Sequence, residues 1–284
     1  MAEKGYFYST KSNAKTGLGM IIEEHRGQAK KIMNLSLNHL KATYKGALLG
    51  PAWAIIKPSF TLFILWFAFS VGLRGNGMVN GYPRFYFMLS GYVPWFYISE
   101  AILAGARSVR SNRQYVTKLS FPMSNIMTFT NLSSMYIHLI LLVIMYVVLW
   151  AGGYCPSVYN LQILYYLPMM FIYFWVLTWT TAPMAAFSKD FESLVSSIMT
   201  GLFWLSGIVY DTTKVKNSVI RHLFYFNPVN YFINGYRRTF LYDQPMFSAD
   251  NRTETLIMLA ELLGLILVGS FYFKRLRKLI PDVL

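Results

Sequence analysis

The chain has 284 residues, of which 55% are hydrophobic, 18% aromatic and only 13% charged. A soluble domain carries about twice that charged share, so the composition excludes an ordinary water-soluble domain and indicates an integral membrane protein. The net charge of +14 would suit a nucleic-acid partner. The basic residues, however, cluster beside apolar runs, where membrane topology accounts for them, and no nucleic acid is expected. The single Cys155 excludes an internal disulfide and a cysteine-based metal site.

In chain order, residues 1–28 are polar, with Lys4, Lys11, Lys15 and Arg26 scattered along them. They lack the apolar core of a signal peptide, so a retained cytoplasmic N-terminus is expected. Over 29–48, Met33, Leu37, Leu40, Tyr44 and Leu48 recur at helical spacing, with Asn34, Asn38, Lys41 and Lys45 opposite. This pattern predicts an amphipathic helix in the membrane interface; a helix packing on a soluble partner is the other reading. Gly50-Pro51 ends it.

Six apolar segments follow, at about 53–73, 86–104, 126–150, 161–187, 194–210 and 255–273. Each lies near the ~20 residues that cross a ~30 Å hydrocarbon core. The predicted fold class is an all-α membrane protein with six transmembrane helices and the N-terminal interfacial helix. Lys57 lies near the inner end of the first span, where it can snorkel to the headgroups. Pro58 is expected to kink that span, and Pro168 and Pro183 to break the fourth. The outer loop 74–84 is Gly-rich. In the outer segment 211–254, apolar-aromatic stretches at 219–226 and 229–241 flank Asn227-Pro228. They predict two short re-entrant helices between spans five and six, with Arg237 and Arg238 on the second.

The stretch 90–122 organises the chain. Its second half carries Arg107, Arg110, Arg113 and Lys118 with no acid among them, and 119–188 then contains no Asp, Glu, Lys or Arg. A short cationic loop between apolar segments belongs in the cytoplasm, which makes 105–122 a cytoplasmic coupling loop. Six spans place both termini inside, with 17 Lys and Arg on the inner side against 8 outside. Six of those eight lie in the long outer segment, against the trend.

There is no G-x-x-x-x-G-K-[ST], H-E-x-x-H or G-x-S-x-G, so no phosphate cradle, zinc-protease or serine-hydrolase site is expected. The ionisable groups inside spans are Glu100, His138 and Glu261. Such groups are functional candidates. Glu100 also reads as a carboxylate paired with an arginine near the inner interface, and His138 as a neutral, hydrogen-bonded packing residue. The aromatics Phe60, Phe63, Phe67, Phe203 and Trp204 read either as lipid-facing and core side chains or as a pathway lining on which sugar faces stack.

Several stretches together resemble the permease subunit of ABC-2 type polysaccharide and polyol-phosphate exporters. They are 44–53 (YKGALLGPAW) with Lys57-Pro58, 91–96 (GYVPWF), 118–122 (KLSFP), Ser188-Lys189-Asp190, and Asn227-Pro228-Val229 followed by Gly235-Tyr236-Arg237. Order and spacing agree over roughly 35–280, and the transmembrane domain is expected over 49–278. The inner turn has Lys-Asp where the family more often has Arg-Asp. Within the family the chain is most similar to wall teichoic acid exporters, through 72–76, Tyr82-Pro83, 227–242 and the ending Asp282-Val283-Leu284.

The resemblance implies a homodimer of this chain in the bacterial cytoplasmic membrane, with two cytoplasmic ATP-binding subunits. ATP and Mg are then expected on those partners and no cofactor in this chain. It implies export of a glycopolymer on a polyprenyl diphosphate lipid. Arg107, Arg110, Arg113 and Lys118 would dock the ATPase, Lys41 and Lys45 attract the lipid diphosphate, the five aromatics line the path, and Arg237 and Arg238 meet the anionic product at the exit. O-antigen, capsule and galactan exporters share most of these features. A membrane-embedded transferase would need a polar catalytic cluster, and an ion-coupled transporter would need paired buried carboxylates and repeat symmetry.

Overall fold

The structure is a computed structural model that describes residues 14–72, 77–119 and 121–284, with all of their side chains but those of Ala249 and Asp250. Lys4 and Lys11, the 73–76 part of the first outer loop with Arg74, and Ser120 lie outside the described residues. The helices are α1 Gly17–His25, α2 Ala29–Thr43, α3 Trp53–Phe67 with a π-turn over Ala68–Gly72, α4 Arg84–Ser111, α5 Arg113–Thr117, α6 Met123–Ala151, α7 Ile163–Phe187, α8 Lys189–Leu205, α9 Ser218–Leu223, α10 Pro228–Phe240, α11 Ala249–Leu276 and α12 Ile280–Val283. Helix dominates because, in lipid, backbone N–H and C=O groups must find partners within the segment.

Four helical stretches are long and apolar enough to cross a membrane: Gly50–Gly72, Met123–Ala151, Val158–Phe187 and Asn251–Leu276. The expected second and fifth spans are of a different character. α4 has 28 residues but carries Arg84, Glu100, Arg107 and Arg110. α8 has 17 residues and opens on Lys189, Asp190 and Glu192.

α4 is the central column. It is buried from Phe87 to Val109 among α6, α7 and α10, with α3 and α8 along its remaining side. That placement explains its small and polar residues, which meet protein. Gly105 lets α7 approach so closely that a Cβ would lie 2.4 Å from Thr178. The expected proline breaks do not occur. α7 runs unbroken through Pro168 and Pro183, and α3 and α4 run through Pro58 and Pro94. Packed neighbours tolerate such interruptions in membrane helices.

At one end of the bundle, Tyr86 of α4 packs on Gly152 and Tyr154 beyond α6. Here the first outer loop forms a hairpin, β1 Met78–Val79 with β2 Tyr82–Pro83. Its turn residues Asn80 and Gly81 have φ of 57° and 83°, the left-handed pair that a tight hairpin turn requires. Also at this end, α10 is buried along nearly its whole length, whereas the six-residue α9 exposes Val219, Ile220 and Leu223. Both are too short to cross a ~30 Å core. α8 stops at Leu205, short of the expected 210, and Gly207 turns the chain at φ 69°.

The opposite end gathers α1, α5 and the last turns of α4, α7 and α11. Part of the stretch expected to be a plain polar N-terminus is a docked helix. Gly17 of α1 lies where a Cβ would fall 1.9 Å from the Ser270 carbonyl oxygen of α11, and the Leu18 N–H donates to Ser270 Oγ at 2.8 Å. The buried Glu24 pairs with Arg277 at 2.9 Å. It also accepts from the Ser124 N–H at 3.3 Å and from the Ser124 hydroxyl. That sets a carboxylate on the first turn of α6, where the helix dipole favours negative charge.

α2 is shorter than expected, ending at Thr43, and its packed face is turned. Ile32 and Ser36 are buried, with Leu35, His39 and Leu40 half-buried beside them, and α2 packs on α6; Met33 and Leu37 are exposed. Ser36 Oγ donates to the Met33 carbonyl at 2.7 Å and to Tyr136 Oη of α6 at 3.1 Å.

Candidate functional site

The least covered part of the bundle is the layer that α3 and α8 form over α4. α3 buries one thin stripe, Ala54, Pro58 and Leu62, and α8 buries Val195 and Met199. Phe60, Phe63 and Phe67 are therefore 61%, 53% and 51% exposed, and Trp204 is 50% exposed. Phe69 meets Trp204 with ring centroids 6.4 Å apart, which joins the two helices into one aromatic surface. Phe203 is placed differently from the other four. It turns inward, half-buried, against Trp95 of α4 at 5.5 Å. Alongside Trp204, the exposed side of α8 carries Ser193, Ser197, Thr200 and Gly201 at helical spacing, a set the sequence reading passed over. Ser193 and Ser197 donate to carbonyls one turn back, which leaves their acceptor sites outward.

The four basic residues of the expected coupling loop separate into two pairs. α4 continues to Ser111, so Arg107 and Arg110 stand on its last turns and not on a free loop. Arg107 Nε pairs with Glu192 Oε1 of α8 at 2.6 Å, and Arg110 Nη2 donates to the Ala186 carbonyl at the end of α7 at 3.0 Å. Asn112 then turns the chain, its Nδ2 donating to the Ser108 carbonyl at 2.8 Å. The single helical turn α5 is seated by Val116 and by Tyr115 against Phe121 and Phe129. It presents Arg113, Lys118 and Leu119 to the exterior, the last 66% exposed.

Beside α2, a cavity of about 410 Å³ opens among α2, α3, α4 and α6, lined by His39, Tyr44, Trp53, Lys57 and Glu100. Burial lowers the His39 pKa from its usual 6.5, which favours the neutral ring. Glu100, expected beside an arginine, faces Lys57 at 4.0 Å. Lys41 and Lys45 are exposed and lie outside this cavity; the cation that lines it is Lys57.

The other two ionisable candidates are each hydrogen-bonded to a tyrosine. His138 is fully buried, with Nε2 2.7 Å from Tyr236 Oη of α10 and its ring beside Tyr97. Glu261 accepts from the Tyr173 hydroxyl at 3.1 Å. Glu100, His138 and Glu261 share no partner.

The two arginines expected at an exit are inside the protein. Arg237 is 1% exposed, donates from Nη2 to the Ile208 and Phe87 carbonyls at 2.8 and 3.3 Å, and stacks 3.5 Å from the Phe87 ring centroid. Arg238 is 6% exposed and reaches Glu254 at 3.5 Å and Asn251 at 3.0 Å. Asn227-Pro228 starts α10 and Asn227 Oδ1 caps it, so the arginines fall on the last turn, where α4 and α11 enclose them. No local sequence signal separates such arginines from exposed ones.

Residues 31–241, from α2 to the end of α10, match the ABC-2 type transporter family. The O-antigen export system permease protein RfbA of Myxococcus xanthus is 24% identical over 210 residues, which cover 74% of this chain and 79% of that protein. A permease of the same name from Klebsiella pneumoniae is 23% identical over 206 residues, 71% of this chain and 76% of that one.

Proposed function

The chain belongs to the ABC-2 type transporter family, and from that premise we propose that it is the transmembrane subunit of an ATP-driven exporter for a polyprenyl-diphosphate-linked teichoic acid. In this reading two copies sit in the bacterial cytoplasmic membrane with two cytoplasmic ATP-binding subunits, which carry ATP and Mg. Each copy crosses six times, through α3, α4, α6, α7, α8 and α11, with both termini inside and α9 and α10 as an outer re-entrant pair. Lys41 and Lys45, exposed on the interfacial helix, attract the lipid diphosphate; Arg113 and Lys118 face the ATPase.

The observation that carries the reading is the α3–α8 layer. Ser193 and Ser197 satisfy their donors within α8, but hydrocarbon would offer nothing to their outward acceptor sites or to the exposed Thr200, whereas a polar path would. Two such layers face to face enclose a path. Hydroxyls on one wall meet sugar hydroxyls, and the flat faces of Phe60, Phe63, Phe67 and Trp204 meet the apolar sides of sugar rings. Without polymer, the same rings pack together and close the path to ions.

A second reading, export of an O-antigen polysaccharide, is favoured by what the relatives are called. Inverted membrane vesicles containing this chain and its ATP-binding partner test both. With ATP, they should take up lipid-linked teichoic acid in preference to a lipid-linked neutral polysaccharide; the reverse preference selects the second reading. Phe63→Ala/Phe67→Ala should change uptake or ion leak several-fold at unchanged protein level. Uptake and leak identical to wild type would remove these rings from the path.

A further inference from the structure

The hairpin end holds a polar cleft that lies apart from the α3–α8 layer. Two cavities of about 710 and 250 Å³ adjoin there, with Thr213, Arg238 and Asn251 lining both. Sites for small ligands commonly span roughly 300–1,000 Å³.

The framework of the cleft is held by internal bonds. Asp211 accepts from the Thr213 N–H at 2.9 Å, from the Thr213 hydroxyl at 2.8 Å, and from Asn80 Nδ2. Glu254 is occupied by Arg238. Both acids line the cleft, but each is bonded to neighbouring residues of the fold. Asn230, Asn234 and Asn251 are likewise engaged within the fold, but part of the lining is not. The hydroxyls of Tyr82 and Ser248, the Gln244 side-chain amide and the Lys214 ammonium make no hydrogen bond or ion pair among the described residues. Arg238 Nε is buried without an acceptor. Arg221, on the smaller cavity, is equally without a partner among the described residues. Tyr82 lies against Tyr242 with ring centroids 5.0 Å apart and the rings tilted by 43°, an aromatic panel on the wall of the larger cavity.

We infer that this cleft is a binding site for an anionic saccharide segment. The amide and hydroxyls bond to sugar hydroxyls, the tyrosine panel lies against a ring face, and Lys214 and Arg221 meet a phosphate or carboxylate. The inference rests on the exporter reading for one point, that the ligand is the emerging end of the transported chain. Its chemistry comes from the cleft itself. A neutral polysaccharide would leave Lys214 and Arg221 unmatched, so the cleft selects for charge.

The test uses the full chain in nanodiscs, titrated separately with a glucosyl-phosphate hexamer and with maltohexaose, with binding followed by saturation-transfer NMR. The hexamer should bind more tightly than maltohexaose and weaken as salt is raised. Lys214→Ala/Arg221→Ala should weaken hexamer binding about tenfold, the loss expected for a hydrogen bond to a charged group. Neither side chain has a partner among the described residues, and an unchanged melting temperature verifies that the double variant is intact. No binding of the hexamer, equal binding of both probes, or wild-type affinity in the double variant overturns the inference. Vesicle uptake separates this from the exporter reading. A chain that transports polymer but binds neither probe keeps the reading and loses the cleft. A chain that binds the hexamer but transports no glycopolymer keeps the cleft and loses the reading.

Discussion

Arg237 is held by two backbone carbonyls and an aromatic face at once, in a pocket roofed by Gly91, where a Cβ would lie 2.6 Å from Nη2. Replacing it with alanine removes the side-chain donor of the Ile208 carbonyl and opens a void in the core. By the usual size of such losses, Arg237→Ala should cost about 3–5 kcal/mol. Arg237→Lys should recover part of this, because an ammonium can bond to one carbonyl but cannot stack on Phe87 as a planar guanidinium does. Thermal unfolding of the detergent-purified chain should then rank wild type above Arg237→Lys and Arg237→Ala lowest. A melting temperature for Arg237→Ala equal to that of wild type would mean that these contacts contribute nothing to folding.

Among the elements, α5 is the one whose shape changes an expectation most. Since Arg107 and Arg110 are engaged by α8 and α7, charge reversal there disturbs the protein's own packing and reports poorly on docking. Reversal at Arg113 and Lys118 is the cleaner experiment. Arg113→Glu/Lys118→Glu should reduce co-purification of the ATP-binding subunit and ATP-dependent uptake while leaving the chain's melting temperature in place. Unchanged co-purification would move the docking surface elsewhere. The existence of most helices was legible from apolar runs and caps, as at Asn227-Pro228. Their facing was less so. Met33 and Leu37 fit the helical period as well as Ile32 and Ser36 do, and what turned α2 is Tyr136, a hundred residues on in the sequence. Glu24 was likewise invisible, because Ser124 and Arg277 come to it only in the folded bundle. The hairpin was available: Asn80-Gly81 is a strong turn signal that the Gly-rich composition of the loop obscured.

At the scale of the whole molecule the bundle is one-sided. α6 and α7 pack on α4, α11 packs on α7, and all three turn apolar faces outward, shown by the exposed Val143, Ile172, Leu263 and Leu267. The remaining side of α4 has the sparse cover of α3 and α8. Basic residues gather at the ends, Arg107, Arg113, Lys118 and Arg277 at one and Lys214 and Arg221 at the other, while Glu100 and Glu261 lie along α4 and α11. The candidate site was therefore half legible. Which residue types belonged to it could be read, but whether an arginine faced water or the core could not, because that depends on which helices close around it.

The burial of α4 also bears on how the protein is made. Glu100 faces Lys57 of α3, but Arg107 and Arg110 find their partners only in α8 and α7, which are synthesised later. A charge near the centre of a lone helix costs about 2.5–3.5 kcal/mol on insertion scales. α4 should therefore hesitate at the translocon until its neighbours emerge, and membrane integration of this chain becomes a cooperative event in time. Nascent chains truncated after Asn112 and fused to alkaline phosphatase should divide between the two sides of the membrane, whereas chains extended past Phe187 should hold the reporter inside. A uniform cytoplasmic reporter at the earlier truncation would show that α4 inserts unaided.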